Sequence, residues 1–159
     1  MSTPRSGWTR REVLRALYAS GLAVSAPAWV AACGAGARPA VPPEIAIGQD
    51  VCDWCTMTID DDRLAAAFVP VQGRALRFGE PGCLLAWLAG RPDAKGVSFV
   101  AAREDAGWLA ATAARFGRGQ LRTPMRFDVV AWRGEPAAAG ESLTWTQLLK
   151  EGMPRAHRS

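Results

Sequence analysis

The chain has 159 residues, of which 49% are hydrophobic and 21% are charged, a balance that excludes wholesale disorder and collagen-like structure. Its formal net charge of +4 is concentrated at the start: four of 19 basic residues and one of 15 acidic residues lie in the first fifteen positions, which leaves 15 and 14 for the rest. No basic stripe interleaved with aromatic residues follows, so nucleic-acid binding is not expected. The single histidine, His157, excludes mechanisms and metal sites that need two.

The N-terminal segment predicts an export signal. Arg10 and Arg11 precede a stretch from Ala16 to Ala37 that contains no charged residue. A basic region followed by an apolar region is the layout of a secretory signal, and the arginine pair resembles a twin-arginine signal. A retained membrane span is the alternative, but such a helix is normally richer in Leu, Ile and Phe. Residues 1–32 are therefore expected to be a signal peptide.

The end of this signal predicts a lipid anchor. Residues 30–33, Val-Ala-Ala-Cys, resemble the lipobox of bacterial lipoproteins, in which the cysteine is lipidated and becomes the mature N-terminus. Lipidation of Cys33 would place the protein on the periplasmic side of a membrane. The alternative is cleavage near residues 26–28, which leaves Cys33 as a free thiol. Residues 33–47 contain three prolines and predict an extended tether.

The folded part is predicted to be α+β, with two small ββαβ-type units that carry antiparallel sheets, residues 48–105 and 106–152, and a loose tail at 153–159. Alternation of apolar residues, a Gln-Gly turn and a Leu- and Trp-rich stripe predict the first unit. Its elements are strands at 65–69, 75–78 and 96–100 and a helix at 83–89. Those of the second unit are strands at 107–112, 126–132 and 143–145, a loop or short helix at 113–120, and a closing helix at 146–151.

Residues 50–57, Asp-Val-Cys-Asp-Trp-Cys-Thr-Met, carry the most informative motif. A Cys-x-x-Cys pair places the Cys52 and Cys55 thiols on one tight turn, and Met57 adds a thioether. Farther along, Pro124 fixes the backbone beside Met125 and so favours a defined position for that side chain. Thiolates and thioethers are soft donors that favour Cu(I) over hard cations.

The spacing alone leaves four alternatives open: a copper site, half of a structural zinc site, a thiol redox pair, or an inert disulfide. Zinc is disfavoured because Cys52, Cys55 and Cys83 supply only three ligands. The fourth would have to be His157, a carboxylate, or Cys33, whose thiol lipidation would consume. Cys83, at the start of an apolar helix, is either a buried small side chain or a ligand.

Enzymatic chemistry is not indicated. A thioredoxin-like site would open a helix, whereas three acids at 60–62, the pattern of a solvated turn, follow the Cys-x-x-Cys motif. Neither a Ser–His–Asp arrangement nor a phosphate-binding loop has the residues that it needs. The chain is therefore not expected to be an enzyme or to bind a small-molecule substrate.

Several motifs occur together in a familiar order: the lipoprotein signal, Asp-Val-Cys-Asp-Trp-Cys-Thr-Met, Arg-Phe-Gly-Glu-Pro-Gly-Cys, and Thr-Pro-Met before a Val-Val-Ala-Trp strand. Over residues 49–151 the chain resembles the NosL-type accessory lipoproteins of nitrous oxide reductase. The resemblance implies a periplasmic Cu(I)-binding chaperone with paired ββαβ units. Such a chaperone delivers copper to the reductase together with an ABC-type maturation system. Whether the chain forms a homodimer stays open.

The family motif Cys-x-x-Cys-Gly-Met is matched at Cys52, Cys55 and Met57, with Thr56 in place of the glycine. The family segment Thr-Pro-Met-Gly is matched through Met125, with Arg126 in place of its glycine. These departures leave room for a paralogue that serves another copper enzyme, such as an oxidase. The implied metal ligands come from a set of five residues: Cys52, Cys55, Met57, Cys83 and Met125.

Overall fold

The computed structural model describes residues 40–119, 121–136 and 141–152. The predicted signal peptide, Cys33, the tether up to residue 39, and the tail with His157 lie outside these residues. Within the described ranges, no helix combines the length and the apolar character needed to cross a membrane.

The first sheet has four antiparallel strands in the order β2-β1-β3-β4. Their bounds are Ala66–Pro70 (β1), Leu76–Phe78 (β2), Gly96–Ala101 (β3) and Trp108–Ala110 (β4). The hairpin and the third strand follow the predicted positions to within a residue or two. β4 lies beyond the boundary expected at 105, yet it pairs with β3, so the first sheet continues into the second half of the chain.

The second sheet has three antiparallel strands in the order β6-β5-β7. Their bounds are Arg115–Arg118 (β5), Val129–Trp132 (β6) and Ser142–Thr144 (β7). The prediction of a loop or helix at 113–120 is wrong, because β5 is the central strand of this sheet. The glycines at 117 and 119 argued against a strand here, because glycine is depleted in strands. Pairing with β6 on one side and β7 on the other outweighs that low propensity.

Several strand boundaries also differ from the prediction. The strand expected from 126 begins only at Val129, because Arg126 and Asp128 have φ angles of 60° and 54°, which a strand does not contain. The strand expected over 107–112 ends at Ala110 and passes into a 3-10 turn at Ala111–Ala113. Trp145, expected at the end of a strand, is the first residue of the closing helix.

Among the described residues, the α-helices are Pro81–Ala89 (α1) and Trp145–Glu151 (α2). Pro81 suits the first turn of α1, where its missing N–H would have had no partner in the helix. α2 begins with a capping box, in which the Thr144 side chain accepts from the Gln147 N–H and the Gln147 side chain accepts from the Thr144 N–H.

The predicted fold class is confirmed: the chain is α+β with two antiparallel sheets. The second half differs from the expected ββαβ order, because its helix α2 follows strand β7 instead of preceding it. Side chains from both sheets and both helices form one buried core, to which Cys52 and Cys83 also belong. Cys52, which lies in a loop, and Cys83, which lies in the first turn of α1, therefore both pack into this core.

Candidate metal centre

Residues 50–58, here called the cysteine loop, are held by their own backbone. Val51 and Thr58 form an antiparallel bridge, the Cys52 N–H donates to the Met57 carbonyl at 2.8 Å, and the Thr56 N–H donates to the Cys52 carbonyl at 3.0 Å. This closed turn directs the Cys52 side chain into the core, where it is 1% exposed, and leaves Cys55 half-buried.

Asp53 fastens the cysteine loop to β2. Its N–H donates to the Arg77 carbonyl at 2.8 Å, and its carboxylate accepts from the Arg77 N–H at 2.7 Å. Arg74 forms an ion pair with the same carboxylate. Burial raises the pKa of Asp53, but the bonds from Arg74 and the Arg77 N–H outweigh it and lower the pKa below its usual value. The loop is thereby fixed relative to the sheet.

Three thiols meet beneath this loop. The Sγ atoms of Cys52, Cys55 and Cys83 all lie within 4.8 Å of one another, and those of Cys55 and Cys83 are 3.9 Å apart. All three thiols are free, and Cys83 comes from the first turn of α1. Such a group can hold a metal ion, so the predicted cysteine ligands are brought together.

The thiols open into a small pocket of about 70 Å³. Met57 and Met125 line the same pocket, so all five residues of the predicted ligand set border one cavity. Met57 is 47% exposed, whereas Cys83 is fully buried. The pocket therefore has two buried thiols at its base and a thioether at its surface. Its remaining lining consists of Thr58, Asp60, Asp61, Gly79, Glu80 and Pro124.

The thiols differ in their readiness to lose a proton. A hydrogen bond from Cys83 lowers the pKa of Cys52 to about 5, against the opposing effect of burial. The same bond, together with burial, raises the pKa of Cys83, and burial raises that of Cys55. Cys52 is therefore the thiol most ready to lose its proton, because the neighbouring Cys83 S–H stabilises its thiolate. A thiolate is the form of cysteine that binds metals.

Glu80 is part of the site but was not predicted from the sequence. It precedes α1, is 1% exposed, and its Oε2 has no hydrogen-bond partner. Burial raises its pKa to about 7, while bonds from the Thr123 hydroxyl and the Met125 N–H oppose that rise. A glutamate before Pro-Gly looks like an exposed helix start, so no sequence signal indicated its burial.

Residues 123–128, here called the Thr-Pro-Met loop, are held largely by side chains. The Thr123 N–H donates to the Asp128 carboxylate at 3.0 Å, and the Asp128 N–H donates to the Thr123 hydroxyl at 3.0 Å. The Arg126 N–H also donates to the Thr123 carbonyl at 2.8 Å. This reciprocal ring closes the loop, and Met125 lies in its turn.

The two residues that depart from the family motif share an unusual backbone. Thr56 has a φ of 59° and Arg126 a φ of 60°, both in the left-handed region that glycine adopts readily. A non-glycine residue there costs about 1–2 kcal/mol. Both positions therefore have a backbone conformation that favours glycine.

The acidic run beside the motif is only partly a solvated turn. Asp60 and Asp62 are exposed, but Asp61 pairs with Arg103 at 3.1 Å and accepts from the Arg63 N–H at 2.9 Å. Trp54, at the tip of the cysteine loop, is 38% exposed. Asp60 and Asp61 line the pocket, whereas Trp54, exposed on the same loop, does not.

Comparison with known proteins gives no assignment. No protein-family model matches the chain, and no curated protein matches it. The thiols and methionines of the pocket therefore remain the basis for a metal site.

Proposed function

We propose that this chain is a Cu(I)-binding metallochaperone, lipid-anchored at Cys33 on the periplasmic side of a membrane after twin-arginine export. The observation that carries the proposal is the group of three thiols within 4.8 Å of one another, which shares its pocket with two methionines. A donor set made of sulfur alone suits Cu(I), which prefers thiolate and thioether ligands.

The burial of the donors suits a protein that binds copper and later releases it. Cys52 and Cys83 are 1% and 0% exposed, so they hold the ion away from water. Cys55 is half-buried and Met57 is 47% exposed, so these two donors can be displaced by ligands of an acceptor. Copper would then pass from one protein to another as cargo without becoming free in solution.

The proposed recipient is nitrous oxide reductase, loaded together with its ABC-type maturation system. The family resemblance is the basis for this assignment, and the left-handed backbone at Thr56 and Arg126 supports it, because the family has glycine at both positions. The test is transfer of copper from the loaded chain to copper-free reductase. A rate no faster than from a Cu(I) complex of equal affinity would contradict this recipient.

Metal binding is tested by anaerobic titration of the reduced full-length protein with Cu(I) against a competing chelator, with Zn²⁺ in parallel. Tight binding of one Cu(I) is expected, with loss in the Cys52→Ser/Cys55→Ser double variant and weakening in Met125→Ala. Met153→Leu, which changes a methionine that belongs to neither sequence motif, is the matched control and should bind as the wild type does. Absence of Cu(I) binding in the wild type would refute the proposal.

A second candidate, a thiol–disulfide protein of the cell envelope, is favoured by one observation: the lowered pKa of Cys52. In that role, the Cys52 thiolate would attack a partner disulfide, and Cys55 would resolve the mixed disulfide as the partner leaves as a thiol. The burial of Cys52 opposes such an attack. Insulin reduction that a Cys55→Ser change abolishes would favour this candidate over the chaperone.

A further inference from the structure

Two turns of the chain line the pocket with the same spacing of donor residues. In the cysteine loop, Cys52 and Cys55 stand three residues apart, and the Thr56 N–H donates to the Cys52 carbonyl at 3.0 Å. At the start of α1, Glu80 and Cys83 also stand three residues apart, and the Cys83 N–H donates to the Glu80 carbonyl at 3.1 Å. Each closed turn therefore supplies two side chains that can bind a metal. Pairs of donors at this spacing are the usual building blocks of structural zinc sites.

The Glu80 side chain points into the pocket instead of capping the helix. Glu80 precedes α1, where a polar side chain commonly accepts from the first N–H groups, yet it makes no such bond. It is 1% exposed and lines the pocket with the thiols. Its Oε1 lies 3.9 Å from the Cys83 Sγ, and its Oε2 has no hydrogen-bond partner among the described residues. A carboxylate oxygen is thus buried beside the thiols and free to bind a cation.

The other carboxylates that line the pocket are paired or solvated. Asp61 forms an ion pair with Arg103 at 3.1 Å and accepts from the Arg63 N–H at 2.9 Å. Asp60 is exposed, so water can satisfy its charge. A buried carboxylate with incomplete hydrogen bonding is unfavourable for the fold. Of these three carboxylates, that of Glu80 would therefore gain most from a bound cation.

The separations of the donors are close to those of a tetrahedral zinc site. Zinc lies about 2.3 Å from a cysteine sulfur and about 2.0 Å from a carboxylate oxygen, which sets two sulfurs about 3.8 Å apart and a sulfur and an oxygen about 3.5 Å apart. The Cys55 and Cys83 sulfurs are 3.9 Å apart, as are the Cys83 sulfur and the Glu80 Oε1. The group of ligand atoms within 4.8 Å of one another contains only the three cysteines among the described residues. The Glu80 carboxylate must therefore turn toward Cys52 and Cys55 when an ion binds.

We propose that the pocket also binds Zn²⁺ as a four-coordinate ion, with the three cysteine thiolates and the Glu80 carboxylate as ligands. Three thiols are one ligand short of a closed zinc site, and Glu80 supplies the fourth. Zinc takes carboxylate oxygen as well as thiolate, whereas Cu(I) prefers sulfur. The inference therefore goes beyond the proposed copper site, because it uses a donor that Cu(I) does not require.

Zinc affinity is measured on the reduced full-length protein by competition with a chromophoric chelator, for the wild type, Glu80→Gln and Asp60→Asn. Glu80→Gln keeps the size of the side chain without its charge, and Asp60→Asn removes an exposed carboxylate of the same pocket. Removing a group that only orients a zinc ligand costs about 10–100-fold in affinity, so Glu80→Gln should lose at least about tenfold. Asp60→Asn should lose less. A loss in Asp60→Asn as large as in Glu80→Gln, or no loss in Glu80→Gln, overturns the inference.

Cobalt(II), which occupies zinc sites and absorbs visible light, tests whether Glu80 is itself a ligand. Four protein ligands leave no open position, so azide should not change the visible spectrum of the wild type loaded with Co²⁺. In Glu80→Ala, water should take the fourth position, and azide should displace it and shift the bands. A wild-type spectrum that responds to azide overturns the inference even if Glu80→Ala fails to fold. A folded Glu80→Ala that does not respond also overturns it.

The zinc site and the proposed copper function can fail separately. A wild type that binds Cu(I), but binds Zn²⁺ no more tightly than Glu80→Gln does, would overturn this inference and leave the chaperone proposal intact. A wild type that binds Zn²⁺ through Glu80 but binds no Cu(I) would refute the chaperone proposal alone.

Discussion

The cysteine loop and the Thr-Pro-Met loop reach the same pocket by different means. Backbone hydrogen bonds and a strand-like bridge close the cysteine loop. The Thr-Pro-Met loop is closed mainly by the side chains of Thr123 and Asp128. The cysteine loop contains one non-glycine residue with left-handed backbone, Thr56, and the Thr-Pro-Met loop contains two, Arg126 and Asp128.

This difference teaches which changes each loop tolerates. A backbone-closed turn survives most side-chain replacements, so the positions of the thiols should depend little on their neighbours. A side-chain-closed loop depends on a few named groups, so the position of the thioether should be easier to disturb. Substitutions in each loop, and in the residues that contact them, should therefore change stability by different amounts.

The largest effect is expected at Glu80, which lies between the loops. Its pKa rises from 4.5 in the unfolded chain to about 7 in the folded protein. Between these values the folded state binds more protons, so the wild type should lose stability as pH rises from about 4.5 to 7, by about 3 kcal/mol. Glu80→Gln has no such proton to lose, so urea unfolding should show its stability rising relative to the wild type from pH 4.5 to pH 8. A difference in unfolding free energy that does not change with pH would contradict the burial of the Glu80 carboxylate.

Gly82 brings α1 against the Thr-Pro-Met loop. A Cβ there would lie 2.3 Å from the Phe127 Cβ, so Gly82→Ala must displace the loop or the helix. Overpacking of about 3 kcal/mol outweighs the gain of about 1 kcal/mol in helix propensity, so a net loss of about 2 kcal/mol is expected in thermal or urea unfolding. Gly90→Ala, at the other end of α1, is the control, because a Cβ there would lie 3.7 Å from the Trp87 carbonyl oxygen, an ordinary contact. Equal stability of both variants would show that the contact is loose.

Asp128→Ala tests whether side chains close the Thr-Pro-Met loop. It leaves the buried Thr123 N–H without its acceptor, which should cost about 1.5 kcal/mol in unfolding free energy. Asp128→Asn keeps an amide oxygen and tolerates the positive φ, so it should stay near the wild type. If Asp128→Asn lost as much unfolding free energy as Asp128→Ala, the charge of Asp128 would matter more than its hydrogen bond.

The smallest effect, of opposite sign, is expected in the cysteine loop. Thr56→Gly should stabilise the fold by about 1 kcal/mol, because a β-branched residue at a φ of 59° is strained. Part of the gain is lost to the greater freedom of glycine in the unfolded chain. Thr58→Gly, in the same loop without a positive φ, should destabilise and serves as the control. A destabilised Thr56→Gly would show that the Thr56 hydroxyl bond to the Cys55 carbonyl outweighs the strain.

The sequence predicted most of the first sheet and helix α1, because local signals there agree with the final structure. Alternation, a Gln-Gly turn and a Pro-Gly helix start all favour the observed elements. The prediction failed at β5 and at residues 126–128. β5 contains a glycine and is formed by pairing with two strands distant in sequence. The Asp128–Thr123 ring and the positive φ angles of Arg126 and Asp128 keep residues 126–128 out of the strand that begins at Val129.

The soft ligands could be identified from residue type and spacing, because few side chains have sulfur and they stand in recognisable motifs. Glu80 could not be identified, since burial of a carboxylate depends on contacts that local sequence does not encode. The order of the thiol pKa values could not be predicted either, because it arises from the hydrogen bond between Cys52 and Cys83.

The pocket draws its walls from segments that are distant along the chain, from the cysteine loop to the Thr-Pro-Met loop. The complete site cannot exist before both sheets have formed. Any ion that binds there recognises the folded state alone, and stabilises it by RT ln(1 + [L]/Kd), about 2.7 kcal/mol at a hundredfold excess over Kd. An ion bound in this pocket therefore also indicates that the chain has folded.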